Sequence, residues 1–222
     1  MKNMRFCRCL VQAIIGASLL LSACATWGDD AADLNLAVSR NESTALARML
    51  ERGVDPNLKE PLRGETPLME AIRENAMRSL QVLLDHPKID IEAAANNGDT
   101  ALMIASFTRN TAAVKALLAH GAEVNRHGWT PLHYAAAVGD VEIVQLLLDK
   151  SAYVDAESPN KTTPLMMAAR GGQTNVAKVL IEAGADVALK NDQGLNAVDF
   201  ALKNEHRDTA ELIRSAGKPA PN

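Results

Sequence analysis

The 222-residue chain holds few side chains suited to covalent or acid–base chemistry, and the best placed of them is Cys24. It follows Leu21-Ser22-Ala23, and ahead of that stand Lys2, Arg5 and Arg8 and an apolar run from Leu10 to Leu21. A thiolate is a far better nucleophile than a serine hydroxyl, so Cys24 is the side chain best suited to covalent chemistry. The five histidines, His86, His120, His127, His133 and His206, are spread along the remainder. His120 and His127 flank one short segment, but two imidazoles without a third ligand make a weak metal site, so both are read as surface residues. The chain has no Gly-x-Ser-x-Gly elbow, no phosphate-cradling glycine loop and no His-Glu-x-x-His pair. No catalytic residue and no metal site is therefore expected.

What must position these residues is a repeat. Thr66-Pro67-Leu68, Thr100-Ala101-Leu102, Thr130-Pro131-Leu132, Thr163-Pro164-Leu165 and Asn196-Ala197-Val198 open equivalent blocks spaced 34, 30, 33 and 33 residues apart. Each continues through a short run of small residues and a turn to a second run such as Ile143-Val144-Gln145-Leu146-Leu147-Leu148. Apolar residues three and four apart define one buried helix face. Threonine in the first slot can cap a helix through its hydroxyl, and proline suits the first helical turn because no amide hydrogen is lost there. The turn after the first helix needs a positive backbone angle, which Gly139 and Gly172 adopt cheaply and Asn41 and Asn75 tolerate. Arg109 and Glu205 break that pattern, so their turns are either strained or remodelled. Gly53, Gly121 and Gly184 end second helices in the same way, with His86 and Ser151 as departures.

Counting back from Gly53 recovers a degenerate first copy with Ala32 in the threonine slot, which makes six repeats. One second-helix position reads Leu50, Leu84, Leu118, Leu148, Ile181 and then Arg214. A seventh repeat would have to bury that charge, at a cost of several kcal/mol on the order expected for an unpaired ion, so Arg214 is expected to face water and close the array. The fullest copy, Gly128-Trp129-Thr130-Pro131-Leu132-His133-Tyr134-Ala135-Ala136 followed by Gly139, resembles the ankyrin repeat, and the resemblance covers residues 31–217. It implies an all-α repeat solenoid of helix-turn-helix units with hairpin-like fingers, its first and last repeats acting as caps. It also implies that His133, in the histidine slot of the motif, ties neighbouring repeats by hydrogen bonds. Met69, Met103, Met166 and Met167, at or beside that slot, are expected to fill core.

The apolar leader run is 12 residues long, too short for the roughly 20 helical residues a bilayer requires, and reads as a secretory signal. Leu21-Ser22-Ala23-Cys24 resembles a bacterial lipobox, which implies cleavage before Cys24 and attachment of a diacylglycerol and an N-acyl chain there. The expected organisation is then 1–23 removed, 24–30 a lipidated cysteine and short tether, 31–217 the repeats and 218–222 a frayed tail. Cys7 and Cys9 would leave with the leader. So would three of the 23 basic side chains, leaving 20 against 27 acidic ones and a formal charge of −7. An acidic body without basic clusters argues against nucleic acid. Ala25 after the cysteine implies, under the sorting rule of enterobacteria-like lipoproteins, a place on the periplasmic face of the outer membrane. A tether no longer than about 20 Å would hold the array near that surface. No cofactor beyond the acyl groups is expected, and a monomer is.

Projected on the implied fold, the concave groove presents Ile104, Phe107, Tyr134 and Met167, rimmed by Glu70, Arg73 and Arg170. Aromatic and apolar anchors inside a charged rim are how a binding patch is built. Ile104 and Phe107 are equally placed to pack between inner helices instead. The fingers offer a second surface in Lys59, Arg63, Arg126, His127 and Trp129, and the one before Thr130 is three residues short, which should notch the row of tips. The expected function is non-catalytic binding of a protein partner. The resemblance to ankyrin-type lipoproteins that act as immunity partners points to a membrane-acting toxin or hydrolase such as a secreted phospholipase. The alternative is a periplasmic scaffold assisting a stress-defence enzyme such as catalase. Replacing Cys24 tests the anchor: Cys24→Ser is expected to abolish labelling by an alkyne fatty acid and to release the protein from membranes, and unchanged labelling would refute lipidation there.

Overall fold

A computed structural model describes residues 27–217; Cys24, the leader and the tail from Lys218 lie outside the described residues. Among the described residues twelve helices run in antiparallel pairs: α1 (Trp27–Ser39) with α2 (Ser43–Glu51), α3 (Pro67–Arg73) with α4 (Met77–Leu84), and α5 (Ala101–Phe107) with α6 (Thr111–Ala119). They continue as α7 (Pro131–Val138) with α8 (Val141–Asp149), α9 (Pro164–Arg170) with α10 (Thr174–Glu182), and α11 (Ala197–Lys203) with α12 (Arg207–Ala216). Odd-numbered helices stack on one another as an inner row and even-numbered ones as an outer row, which is the solenoid the repeat implies. Helix α1 begins at Trp27, so the last residues of the stretch 24–30 expected as tether are helical.

The inner row packs closely because its facing positions are small: Ala71, Ala105, Ala135, Ala136, Ala168, Ala169 and Ala201 are buried. The outer row fills the second layer with Leu46, Leu80, Leu83, Val114, Leu117, Ile143, Leu147 and Leu180, also buried. Each such leucine contributes roughly 1.5–3 kcal/mol by leaving water, and it does so only when the next repeat is in place. Arg214 is exposed, as its place on the outside of the last repeat requires.

Local chemistry starts and stops these short helices. The hydroxyls of Thr66, Thr100 and Thr163 accept from the backbone amides of Met69, Met103 and Met166 at 3.4, 3.5 and 3.4 Å, and Asn196 does the same for Asp199 at 3.0 Å. The box is closed from the other side by methionine sulfur at 3.5 Å from the amides of Thr66 and Thr163. The turn after each inner helix is left-handed in all six repeats: φ is 54° at Asn41, 52° at Asn75, 58° at Arg109, 79° at Gly139, 66° at Gly172 and 65° at Glu205. Arg109 and Glu205 are thus strained rather than remodelled. At the ends of the second helices Ser151 also adopts a positive φ, 62°, whereas His86 does not, and its turn is rebuilt around Pro87.

The fingers close like hairpins without forming strands; a bridge between Ala94 and Thr100 is the β-pairing among the described residues. Glu60 pairs with Glu65 at 2.9 Å, Ala95 with Asp99 at 2.9 Å, Ser158 with Thr162 at 3.0 Å and Asn191 with Leu195 at 3.0 Å. Neighbouring fingers are laced where Asn96 N donates to Arg63 O and Asp192 N to Asn160 O. The shortened finger before Thr130 has neither kind of bond among the described residues.

The strain at the two non-glycine turns can be relieved. A left-handed residue with a Cβ costs roughly 1–2 kcal/mol, partly offset by the extra unfolded-state entropy of glycine. Arg109→Gly and Glu205→Gly are each expected to stabilise the array by about 0.5–1 kcal/mol in urea unfolding. A loss of stability in both would show that these turns carry no strain.

Candidate concave binding surface

The slot immediately before each capping residue, at the base of the finger, reads Glu65, Asp99, Trp129, Thr162 and Leu195. It decides how the neighbouring inner-helix side chains are used. In the second repeat Glu65 is only 4% exposed and receives Arg73 through two guanidinium nitrogens, Nε at 3.0 Å and Nη2 at 2.7 Å. Arg63 Nη2 lies 3.2 Å from the other Glu65 oxygen and 3.7 Å from Glu70. Glu70 and Arg73, expected in the groove, and Arg63, expected on a finger, therefore form one ion-pair knot around a carboxylate that sequence patterning passed over. Removing either side of a buried pair is far costlier than the pair is worth, so Arg73 is committed to the fold, while Arg63 holds the same carboxylate from a largely exposed position. Burial first, and then the like charge of Glu74, raise the Glu70 carboxyl above its ordinary range.

The third and fourth repeats build an aromatic surface. Phe107 is 52% exposed and meets Tyr134 edge to face with ring centres 6.1 Å apart. Trp129, 36% exposed, stands 6.4 Å from Tyr134 and 5.1 Å edge-on from His133. Tyr134 is half-buried, and its hydroxyl donates to Asp99 Oδ1 at 2.5 Å, a reach from one repeat back to the previous one. Burial, then the carboxylate of Asp99, push the phenol well above its usual range, so it stays a donor. The expected finger residue Trp129 and the expected groove residues Phe107 and Tyr134 are thus one cluster. Its sequence signal was the slot before the capping residue, which carries Asp99 and Trp129 in adjacent repeats.

Other expected residues separate. Ile104 is 3% exposed and packs in the core between inner helices, a correction to its place on the surface: on α5 it faces the neighbouring helices while Phe107, three residues on, clears them. Met167 is half-buried and packs against the core, while Arg170 is exposed. On the fingers, Lys59 is spent on Ala94 O at 2.6 Å, which braces one finger on the next. His127 is exposed, and Arg126 is half-buried with an enclosed Nη1 that finds no partner among the described residues. His120 holds Ala116 O at 2.8 Å and lies 3.5 Å from Asp85. No cluster of three metal-ligating side chains occurs among the described residues. A hollow of about 580 Å³ in the first repeat is lined by Asp33, Leu36, Ala45 and Met49.

His133 is fully buried beneath this surface. Its Nε2 donates to Thr162 O at 2.8 Å, and its Nδ1 faces the amide of Thr130 at 3.2 Å and the Thr130 hydroxyl at 2.9 Å. The ring therefore joins the fourth repeat to the fifth, as the resemblance implied. Burial lowers its pKa to about 4, against the opposing pull of the Thr162 and Ala156 carbonyls. A locked, neutral imidazole with both nitrogens engaged is a strut, and the exposed rings above it offer apolar contact to a partner.

A family model described as ankyrin repeats (3 copies) matches residues 34–127, 88–158 and 153–220. The human transient receptor potential cation channel subfamily A member 1 is 30% identical over 165 residues, 69% of this chain and 15% of that protein. Human SH3 and multiple ankyrin repeat domains protein 2 is 34% identical over 177 residues, 78% of this chain and 10% of that protein. The chain thus spans a small part of these curated relatives. A chain in the solved structure of the predatory endopeptidase Bd0816 from Bdellovibrio bacteriovorus in complex with immunity protein Bd3460 superposes with a TM-score of 0.72 at 27% identity. That match covers 82% of this chain and 97% of the other.

The depressed His133 pKa has a sign. Unfolded chains take up a proton near pH 6.5 and the folded one only near 4, so the native state loses stability as pH falls through that window. The loss attributable to this group is about 3 kcal/mol at most. His133→Met, which copies the residue of Met69, Met103 and Met166, removes the titration. Its unfolding free energy is expected to fall less than the wild type's between pH 7 and 4, and equal slopes in urea titrations would contradict the buried neutral ring.

Proposed function

Because the chain belongs to the ankyrin repeat family, whose stacked repeats expose a continuous binding surface, we propose that it is a non-catalytic inhibitor that covers a hydrolase with its concave aromatic face. The observation that carries this reading is the likeness, over 97% of its length, to a chain from a complex between an endopeptidase and its immunity protein. An array of nearly the same extent supports the same kind of task. Phe107, Trp129 and Tyr134 supply rigid rings that lose little entropy on binding, held from beneath by Asp99 and His133. The protein acts, in this proposal, from the periplasmic face of a membrane to which Cys24 ties it by its acyl groups. Stationing an inhibitor there suits a target that works on the cell envelope. The neighbour supports a peptidase as the target class, and the anchor favours a membrane-acting phospholipase.

The test mixes the chain, purified from membranes in detergent, with each purified peptidase and phospholipase encoded beside its gene. One of them is expected to lose activity at a one-to-one ratio, and Phe107→Ala is expected to weaken that inhibition at least about 30-fold, the scale of a 2 kcal/mol hot spot. Full hydrolase activity at excess chain in every mixture would remove the inhibitor reading. Inhibition indifferent to Phe107→Ala would move the contact away from the concave face.

A further inference from the structure

The repeats can be read against one another to find which charges on the concave face are already answered. At the last turn of each inner helix one column reads Ser39, Arg73, Phe107, Ala137, Arg170 and Lys203. In the second repeat Arg73 has its own carboxylate, because the slot before the capping residue is Glu65. In the third that slot is Asp99, and Tyr134 takes it. In the fifth and sixth it is Thr162 and Leu195, so the acid that Arg73 enjoys is missing beneath Arg170 and Lys203. Neither of these cations is within 4.0 Å of an acidic oxygen among the described residues. Asp199, one turn before Lys203, is turned back onto the amide of Asn196 at 3.0 Å, and Asp192 lies 4.0 Å from Lys161. Both cations are exposed, on adjacent repeats and in line with Phe107.

The two flanks of the aromatic cluster therefore differ. Towards the amino-terminal end, Glu60, Glu65, Glu70 and Glu74 outnumber Arg63 and Arg73, and both arginines are already paired. A partner's carboxylate is repelled there. Towards the carboxy-terminal end stand Arg170 and Lys203, unpaired among the described residues and separated from Phe107 by the small Ala137. We propose that the concave face is a directional docking groove for an extended acidic segment of the partner protein, which seats an apolar or aromatic side chain against Phe107, Trp129 and Tyr134 and a carboxylate on Arg170 and Lys203. The partner's acid supplies in the fifth and sixth repeats what Glu65 supplies in the second. This deepens the inhibitor reading by naming what the groove recognises, and it rests on that reading only for the identity of the partner.

The spacing follows from the stacking. Neighbouring helices in contact lie roughly 8–10 Å apart, so Tyr134 and Arg170 are about one such step apart and Phe107 and Arg170 about two. An extended chain covers those steps in about three to six residues, which is the interval expected between the apolar anchor and the acid.

The experiment selects a displayed library of random 12-residue peptides on the whole chain, with the Phe107→Ala chain as counter-target. Selected peptides are expected to share an aromatic or large aliphatic residue with Asp or Glu at that interval. Fluorescence polarisation of a labelled winner should show at least tenfold weaker binding to the Arg170→Glu, Lys203→Glu double variant, with binding regained when the peptide's acids are replaced by lysine. Both substituted side chains are exposed, and a circular dichroism melt matching the wild type verifies the fold. Winners that carry no acid at the interval, that bind the double variant as well as the wild type, or that fail to distinguish Phe107→Ala would overturn the proposal. The two proposals fail separately: peptides that dock as expected while no hydrolase is inhibited would remove the inhibitor reading alone. Inhibition that survives the double variant unchanged would remove the directional groove alone.

Discussion

Each repeat buries its apolar face only against the next, so everything depends on the contact between successive inner helices and on what ties one repeat to its neighbour. At two of the five junctions that tie is made by backbone. Fingers close on themselves and, between the second and third and the fifth and sixth repeats, donate to one another. The fourth repeat has lost three finger residues and with them those bonds. Side chains take over: Tyr134 reaches back to Asp99 and His133 reaches forward to Thr162. Both reaches start from one turn of α7 and both lie under Trp129. The shortest finger is thus the point where structural struts and exposed aromatic rings coincide.

That coincidence has a functional consequence. At the short finger the Trp129 ring stays partly exposed beside Tyr134, which in turn meets Phe107. The buried histidine below is neutral and doubly bonded, so it fixes the rings without adding charge to the face they present. In the middle the Asp99 carboxylate is taken by Tyr134, and on the flanks the slot before each capping residue sorts the charge. Where that slot is acidic the basic side chain above is consumed internally, and where it is Thr162 or Leu195 the basic side chain is left for a partner.

The architecture was legible because it is periodic. Small inner-helix residues and paired apolar positions recur at nearly constant spacing, and Thr66, Thr100, Thr163 and Asn196 cap as predicted; the Thr130 hydroxyl instead meets the His133 ring, and Ala32, expected to open the first inner helix, lies inside α1. Positive φ at Arg109 and Glu205 was also implied by period, although residue type argued against it; packing of the inner helix against its neighbours overrides the local preference. The surface was harder to read. Repeat register places a side chain on a face but does not say whether a neighbour covers it, and so Ile104 was expected beside Phe107 although it is core. Ion pairs were hidden for a related reason: Glu65 and Arg73 are eight residues apart, with no motif to link them, and only the finger's fold brings them together. The slot holding Glu65, Asp99 and Trp129 was the available signal, a column whose chemistry varies while its neighbours stay fixed.

The central claim, that the partner lies on the aromatic concave face, can be read from two atoms. The chain has two tyrosines, Tyr134 in the groove and Tyr153 in the loop after α8, where it is 68% exposed. Labelled with 3-fluorotyrosine, the chain should give one fluorine resonance from each. On adding a hydrolase that it inhibits, the Tyr134 signal is predicted to shift and broaden while that of Tyr153 stays in place. Movement of Tyr153 with Tyr134 unchanged would put the partner on another face and contradict the account.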